Sequence, residues 1–129
     1  MKPKLILIRG IPGSGKSTFA RFIQSLDPSY SVYEADQFFI QIDGEYRYDP
    51  SKIKEAHDWC KERAEYNLLY GIPTIVANTF IRKWELQPYI DMATEFNIPY
   101  SIITMNGNFN SIHSVPRSVI NRMRTTFEH

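Results

Sequence analysis

Apolar runs and helical patterns alternate along this chain, and the alternation predicts most of its architecture. Residues 5–8 and 74–77 form almost continuous apolar runs, which suit strands that are buried on both faces of a sheet. Residues 31–34 and 100–104 are two further strand candidates. Because strands alternate with helices, we predict a mainly parallel sheet of about four strands, layered between helices and joined by right-handed crossovers.

Helical segments are indicated where apolar side chains recur at spacings of three and four. The first begins near Lys16, the next two cover about residues 51–70 and 83–96, and the last follows a polar stretch at 106–114. The side chains predicted to face inward are Phe19, Phe22, Ile23 and Leu26; Ile53, Ala56, Cys60, Ala64 and Leu68; Leu86, Tyr89, Ile90, Ala93 and Phe96; and Val119, Ile120, Met123 and Phe127.

Proline and glycine mark the ends of these elements. Pro28 ends the first helix because its ring cannot continue one, and Gly71 stops the second. Asp43-Gly44 predicts a tight turn, which the flanking apolar and aromatic residues extend to a small hairpin reaching Tyr48.

Composition is ordinary for a globular protein. The chain has 129 residues, 43% of them apolar and 22% charged, so we expect one domain over residues 1–129. The net charge of +1 argues neither for nor against nucleic acid. The single cysteine, Cys60, cannot form an internal disulfide and is interpreted as a buried, reduced thiol. The apolar run near the N-terminus is too short for a signal peptide or a membrane span, so no membrane contact and a cytoplasmic location are expected by default.

The strongest chemical signal is a loop at residues 10–17, which fits the Walker A pattern G-x-x-x-x-G-K-[ST] at every fixed position. Its glycines let successive backbone N–H groups approach phosphate oxygens, and the helix that follows adds a positive dipole. Lys16 is expected to neutralise the β- and γ-phosphates of ATP, and the Ser17 hydroxyl to ligate Mg²⁺. The predicted nucleotide-binding residues are Gly10, Pro12, Gly13, Ser14, Gly15, Lys16, Ser17 and Thr18.

Other features narrow the class of P-loop protein. No Asn-Lys-x-Asp sequence, which would indicate a GTPase, occurs in the chain. The strand at residues 74–77 leads into Asn78 and has no carboxylate of the kind that motor ATPases need. A small phosphotransferase is the best remaining class.

Several further segments accompany the loop, in order, over nearly the whole chain. They are Arg9 before the loop, residues 34–39, 43–46 and 55–59, Asn78-Thr79, and residues 84–89 and 115–123. The ordered set resembles the P-loop kinase domain of the bacteriophage polynucleotide 5′-kinases. It resembles still more a related eukaryotic group, named for a protein that binds a Nedd-type ubiquitin ligase. The resemblance implies a three-layer P-loop NTPase/kinase fold, with ATP and Mg²⁺ as cofactors.

The resemblance also implies that Asp36 is catalytic, together with Lys16. Asp36 follows the second strand, at the carboxyl end of the predicted sheet, where a carboxylate can accept the proton of an attacking hydroxyl. The matching aspartate of the phage kinases is the general base. The alternative is that Asp36 caps the segment that follows it.

This chain departs from the family pattern at two places. The families carry Asp-Thr-Asn where this chain has Asn78-Thr79-Phe80, so Asn78 either binds a Mg²⁺-bound water or is a polar strand end without a catalytic role. The lid, at residues 106–114, is shortened and lacks the expected arginine. Arg82, Arg117, Arg122 and Arg124 are possible substitutes or surface residues, and His113 is either a catalyst or a surface or capping residue.

Two functional hypotheses remain open. The first is a kinase that transfers the γ-phosphate of ATP to a nucleic-acid 5′-hydroxyl end or to a nucleoside or nucleotide. Phe38, Phe39, Tyr46 and Tyr48 would then stack a nucleobase or simply pack together. The second is a nucleotide-binding pseudokinase or ATPase that serves as a protein-interaction module. In either case a protein partner is a possible source of the missing arginine.

Overall fold

A parallel sheet forms the centre of the molecule, as the alternating pattern predicts. The computed structural model describes residues 4–40, 42–107 and 117–129. The strands are β1 (Leu5–Arg9), β2 (Ser31–Tyr33), β3 (Thr74–Asn78) and β4 (Tyr100–Thr104). Their order across the sheet is β2-β3-β1-β4, and every neighbouring pair is parallel. The carboxyl ends of all these strands therefore meet along one edge of the sheet.

The helices connect the strands in the expected order. They are α1 (Lys16–Leu26), α2 (Ile53–Leu69), α3 (Gln87–Glu95) and α4 (Arg117–Thr126). Short 3₁₀ helices lie at Ala35–Phe39, Pro50–Lys52 and Lys83–Glu85. The helix predicted over residues 83–96 is thus divided into a 3₁₀ turn and α3. Pro88 in the first turn of α3 suits such a start because proline has no N–H to donate there.

The core has two parts, one on each face of the sheet. Leu5 and Leu7 of β1 belong to a cluster with residues of α2 and α3. Ile6 and Ile8 belong to a second cluster, with Ala20 of α1. Because successive strand side chains point to opposite faces, β1 is buried on both sides, and the fold has three layers.

Two positions on α1 differ from the predicted inward face. Phe22 is 56% exposed and Leu26 is 72% exposed, whereas Ala20 is fully buried. Phe19 and Ile23 are partly buried against the sheet, so with Ala20 they form the buried face of α1. Ile53, the first residue of α2, is also exposed, while the rest of its predicted stripe is buried.

Other sequence predictions also have structural outcomes. The thiol of Cys60 is free and fully buried, as expected. Ile40 and Tyr46 form an isolated antiparallel bridge around Gly44, which confirms the small hairpin as far as Tyr46. The predicted short lid and His113 lie almost wholly outside the described residues. Among the described residues, no helix is long and apolar enough to cross a membrane.

Candidate nucleotide site

The loop at residues 10–17 connects the end of β1 to the start of α1, at the edge where the strands end. Beside it opens a cavity of about 1390 Å³, which is lined by Lys16, Ser17 and Asp36 together. Pro12, Gly13, Gly15 and Thr18 also line this cavity. Parallel α/β sheets bind ligands at this edge because the loops that follow the strands converge there.

The glycines of the loop are required by its backbone. Gly13 has a φ of 82° and Gly15 a φ of 97°, values that side chains with a Cβ rarely adopt. At Gly10 a Cβ would lie 2.4 Å from Ser14 Oγ and 2.7 Å from the Met105 carbonyl oxygen. The chain therefore curls tightly enough to leave a concavity in front of its own amides.

The start of α1 is suited to bind an anion. In the described part of the chain no side chain caps this helix, and its first turn contains no acidic residue. The helix dipole and the first amides are therefore not offset by a carboxylate of the helix itself. Ser14 Oγ is buried and has no hydrogen-bond partner among the described residues. An uncapped helix start next to a buried hydroxyl without a partner fits the phosphates of a nucleotide.

Lys16 is held within the same concavity. Its Nζ donates to the Ile11 carbonyl oxygen at 3.1 Å. Burial lowers the pKa of Lys16 to about 8, although Glu34 and Asp36 act in the opposite direction. The ammonium group is thus short of compensating negative charge, which the phosphates of a bound nucleotide would provide.

Ser17 lies next to a carboxylate that the sequence pattern did not single out. Its Oγ donates to Glu34 Oε1 at 2.5 Å. Glu34 follows directly after β2, within the residues first taken as strand, so nothing in its local pattern distinguished it. Thr18, also predicted to bind the nucleotide, is exposed at the cavity wall. No group of three or more metal-binding side chains occurs among the described residues, so Mg²⁺ here would depend on few protein oxygens and on phosphates.

Asp36 lies in the first turn of the 3₁₀ helix Ala35–Phe39, whose N-cap is Glu34. The alternative that Asp36 caps this segment is therefore wrong. The Tyr46 hydroxyl donates to Asp36 Oδ1 at 3.3 Å, across the small hairpin. Burial raises the pKa of Tyr46 to about 12, and the neighbouring Asp36 carboxylate adds to this increase. The phenol therefore stays protonated and remains a donor. The carboxylate thus faces the cavity with a fixed neutral partner beside it.

Asn78 connects the end of β3 to the segment that carries Asp36. Its Oδ1 accepts from the Ala35 backbone N–H at 2.8 Å, and its Nδ2 donates to Cys60 Sγ at 3.7 Å. The side chain is buried, at 6% exposure. Burial raises the pKa of the Cys60 thiol. Asn78 therefore has a structural role that the sequence did not predict, namely to hold the backbone next to Asp36.

The aromatic residues near Asp36 are mainly packed together. Phe39 is 4% exposed and contacts Tyr46 and Tyr48 edge-on, at centroid distances of 6.3 and 5.2 Å. Phe38 packs against Trp59 at 6.2 Å. Tyr48 is 52% exposed and lines the cavity. Of these rings, Tyr48 therefore has the most free surface for a ligand.

The arginines considered as substitutes lie in different places. Arg82 is exposed and lines the large cavity, immediately before the 3₁₀ helix Lys83–Glu85. Arg117 is the exposed first residue of α4, and Arg122 is exposed further along it. Arg124 lines a separate, smaller cavity of about 250 Å³.

Arg9, the residue before the loop, is a buried structural cation. Its guanidinium donates to the Phe80 carbonyl oxygen at 3.1 and 2.6 Å and to the Ile81 carbonyl oxygen at 3.3 Å. Its central carbon lies 4.3 Å from the centroid of the Phe127 ring. Burial lowers the pKa of Arg9, against the effect of Glu128 and Glu85. Arg9 therefore fastens the segment before Arg82, where Phe80 has a φ of 44°, to β1 and to the C-terminal residues.

The family of this chain follows from a match over most of its length. A family model described as an AAA domain matches residues 5–108. The chain belongs to this AAA domain family. It is also 40% identical, over 90 residues, to human NEDD4-binding protein 2; the match covers 69% of this chain and 5% of that protein. The resemblance stated from the sequence motifs is thereby confirmed.

Solved structures show the same fold. A chain of the Pnkp1/Rnl/Hen1 RNA repair complex aligns with a TM-score of 0.68 and 21% identity, over 96% of this chain and 43% of that one. A gluconokinase from Sinorhizobium meliloti 1021 aligns with a TM-score of 0.57 and 16% identity, over 98% of this chain and 76% of that one. This AAA domain therefore has a P-loop kinase-like fold.

Proposed function

We propose that this AAA domain is a Mg²⁺- and ATP-dependent phosphotransferase that moves the γ-phosphate of ATP to a hydroxyl acceptor. The observation that carries the proposal is that Lys16, Ser17 and Asp36 line one cavity. The cavity, at about 1390 Å³, is larger than most single-ligand pockets, which supports joint binding of a triphosphate and an acceptor.

Each group in the cavity has a proposed role. The loop amides at residues 10–17 and Lys16 hold the β- and γ-phosphates. The acceptor oxygen forms a bond to the γ-phosphorus, the bond from that phosphorus to the bridging oxygen of ADP breaks, and Asp36 accepts the acceptor's proton. Tyr46 orients the Asp36 carboxylate through its hydrogen bond. Mg²⁺, when bound, supplies charge neutralisation at the phosphates.

For the acceptor we propose a nucleic-acid 5′-hydroxyl end, or a nucleoside or nucleotide. The ordered motifs shared with polynucleotide kinases and the likeness to a chain of an RNA repair complex support this class. Tyr48, half exposed at the cavity wall, is a suitable surface for stacking a base. Because the fold is also like that of a gluconokinase, a sugar acid is the alternative acceptor to compare with a nucleic-acid end or nucleoside.

A second candidate is a nucleotide-binding pseudokinase that acts as a protein-interaction module. One observation favours it. Asn78 stands where the related kinases carry an acidic residue, and its amide group is bound to Ala35 and Cys60. That strand end therefore brings no charge to the cavity.

Transfer of labelled phosphate separates the two candidates. The protein is incubated with γ-labelled ATP and 5′-hydroxyl DNA, 5′-hydroxyl RNA, nucleosides or gluconate, beside Lys16→Ala and Asp36→Ala variants. We expect label on a nucleic-acid end or nucleoside with the unchanged protein alone. If ATP binds but no acceptor gains label above the Lys16→Ala background, the pseudokinase is the correct function.

Arg82 is the arginine that we propose for the transition state, because it lines the cavity and directly follows the segment fastened by Arg9. An arginine in this role contributes about 10³-fold or more to the rate of phosphoryl transfer. We expect Arg82→Ala to lower kcat by this order and to weaken binding of an ADP–aluminium fluoride complex. Lys83→Ala, at the neighbouring exposed cation, is the control and should change neither. Equal effects of the two variants would contradict the assignment.

A further inference from the structure

The contact between Ser17 and Glu34 places a carboxylate directly at the hydroxyl that P-loops use for metal. The two oxygens are 2.5 Å apart, and both residues line the large cavity. Glu34 is also close enough to act on the charge of Lys16. A carboxylate at this position would repel a triphosphate unless a cation lay between them. A divalent cation turns the same carboxylate into a ligand.

The other cavity carboxylates are engaged differently. Asp36 accepts a hydrogen bond from Tyr46. Glu85 contributes to the electrostatics of Arg9. Asn78, at the strand end where the resemblance leads one to expect an acid, is neutral and bound to Ala35 and Cys60. Glu34 is thus the carboxylate that the structure brings to the Ser17 hydroxyl.

We propose that Glu34 and Ser17 together form the protein's Mg²⁺ site, with Glu34 supplying the negative charge that Asn78 lacks. Hydroxyl and carboxylate oxygens are the hard ligands that Mg²⁺ prefers, and one carboxylate combined with nucleotide phosphates is a common arrangement. Glu34 would bind the ion through a carboxylate oxygen, and the Ser17 hydroxyl, which keeps its proton, would bind it through the oxygen lone pair. The proposal rests on the nucleotide-binding part of the proposed function and does not require phosphate transfer.

Nucleotide affinity with and without metal tests this site. The variant is Glu34→Gln, which keeps an oxygen to accept from Ser17 but removes the charge. With Mg²⁺ present, we expect ATP affinity to fall, because the loss of a metal-supporting residue lowers metal affinity about 10- to 100-fold. With EDTA present, we expect the affinity to stay the same or to rise, because the repulsion is gone. Titration calorimetry measures both.

The difference between the effects of Glu34→Gln on ATP affinity with Mg²⁺ and with EDTA distinguishes a metal ligand from a structural residue. A Glu34→Gln variant that weakens ATP binding equally with Mg²⁺ and with EDTA would overturn the proposal, and so would one that keeps the full effect of Mg²⁺. Glu85→Gln, which removes another cavity carboxylate, is the matched control and should retain the wild-type response to Mg²⁺.

A second readout follows the metal itself. Mn²⁺ replaces Mg²⁺, and its electron paramagnetic resonance spectrum reports the bound ion in the presence of ADP. We expect bound Mn²⁺ with the wild type and with Glu34→Asp, and its loss with Glu34→Gln. Equal Mn²⁺ binding by all three would overturn the proposal. A wild type that binds Mn²⁺ and ATP but transfers no phosphate would refute only the kinase activity.

Discussion

The part of the cavity that we propose binds ATP, residues 10–18 (the donor half), is one continuous segment. The part that we propose binds the acceptor (the acceptor half) is formed by Asp36, Tyr46 and Asn78, from three parts of the chain. Backbone amides and two glycines with positive φ shape the donor half. Hydrogen bonds that involve side chains, from the Tyr46 hydroxyl to Asp36 and from the Ala35 backbone N–H to Asn78, help to hold the acceptor half. The shape of the donor half therefore depends mainly on the backbone, and that of the acceptor half depends mainly on side chains.

Asp36→Asn should show the largest difference between the halves. Loss of a general base lowers the rate of such reactions by about 10²- to 10⁴-fold. Because the donor half is untouched, we expect kcat to fall by this order while the Kd for ATP stays within about twofold of wild type. Lys16→Gln provides the contrast and should lower kcat and also weaken ATP binding. If Asp36→Asn weakened ATP binding as strongly as Lys16→Gln, the two halves would not be separable.

Asn78→Ala should destabilise the acceptor half at the end of β3. The change leaves the buried Ala35 N–H without its acceptor, and such a loss reduces the free energy of unfolding by about 1–3 kcal/mol. Denaturant unfolding measures the loss, and steady-state kinetics should show a raised KM for the acceptor. Asn67→Ala is the control, because Asn67 is also buried but donates to Tyr33, which does not line the cavity. A change of acceptor KM with the control would mean that lost stability alone explains the effect.

The pH dependence of ATP binding should be the smallest effect and belongs to the donor half alone. The pKa of Lys16 is lowered to about 8, and phosphate binding favours its charged form. Affinity should therefore be constant below pH 8 and fall about tenfold per unit above it, with uptake of a proton on binding near pH 8. Titration calorimetry at pH 7.5–9.5, in buffers with different ionisation enthalpies, measures both. The Lys16→Arg variant stays charged, so its ATP affinity should not fall above pH 8. A similar fall in affinity with this variant would mean that another group causes the pH dependence.

The contrast between the halves also explains what the sequence could predict. The loop could be found because its chemistry depends on local spacing, and the strands of the sheet because continuous apolar runs have few other interpretations. Asp36 was found only through the resemblance of ordered motifs. Local pattern alone left its role as a cap open, and the structure assigns the cap position to Glu34.

Residues that act through contacts between distant segments could not be predicted in this way. Glu34 meets Ser17 across 17 positions of sequence, and Asn78 meets Ala35 across 43. Neither pairing has a local spacing that marks it. The exposed positions of Phe22 and Leu26 were missed for a related reason, since periodicity predicts a helical face but not how much sheet lies beneath it.

The hydrogen bonds from Arg9 to the Phe80 and Ile81 carbonyl oxygens have a consequence for the order of folding. The guanidinium meets the Phe80 carbonyl across 71 positions of sequence, so we expect these partners to come together only after β1 and β3 have paired. Until then Arg9 is better stabilised by water than by the chain. We expect Arg9→Met to speed unfolding and to leave the folding rate nearly unchanged, as measured by stopped-flow fluorescence. The nucleotide end of the molecule would then be the last part to close as the chain folds and the first to open when it unfolds.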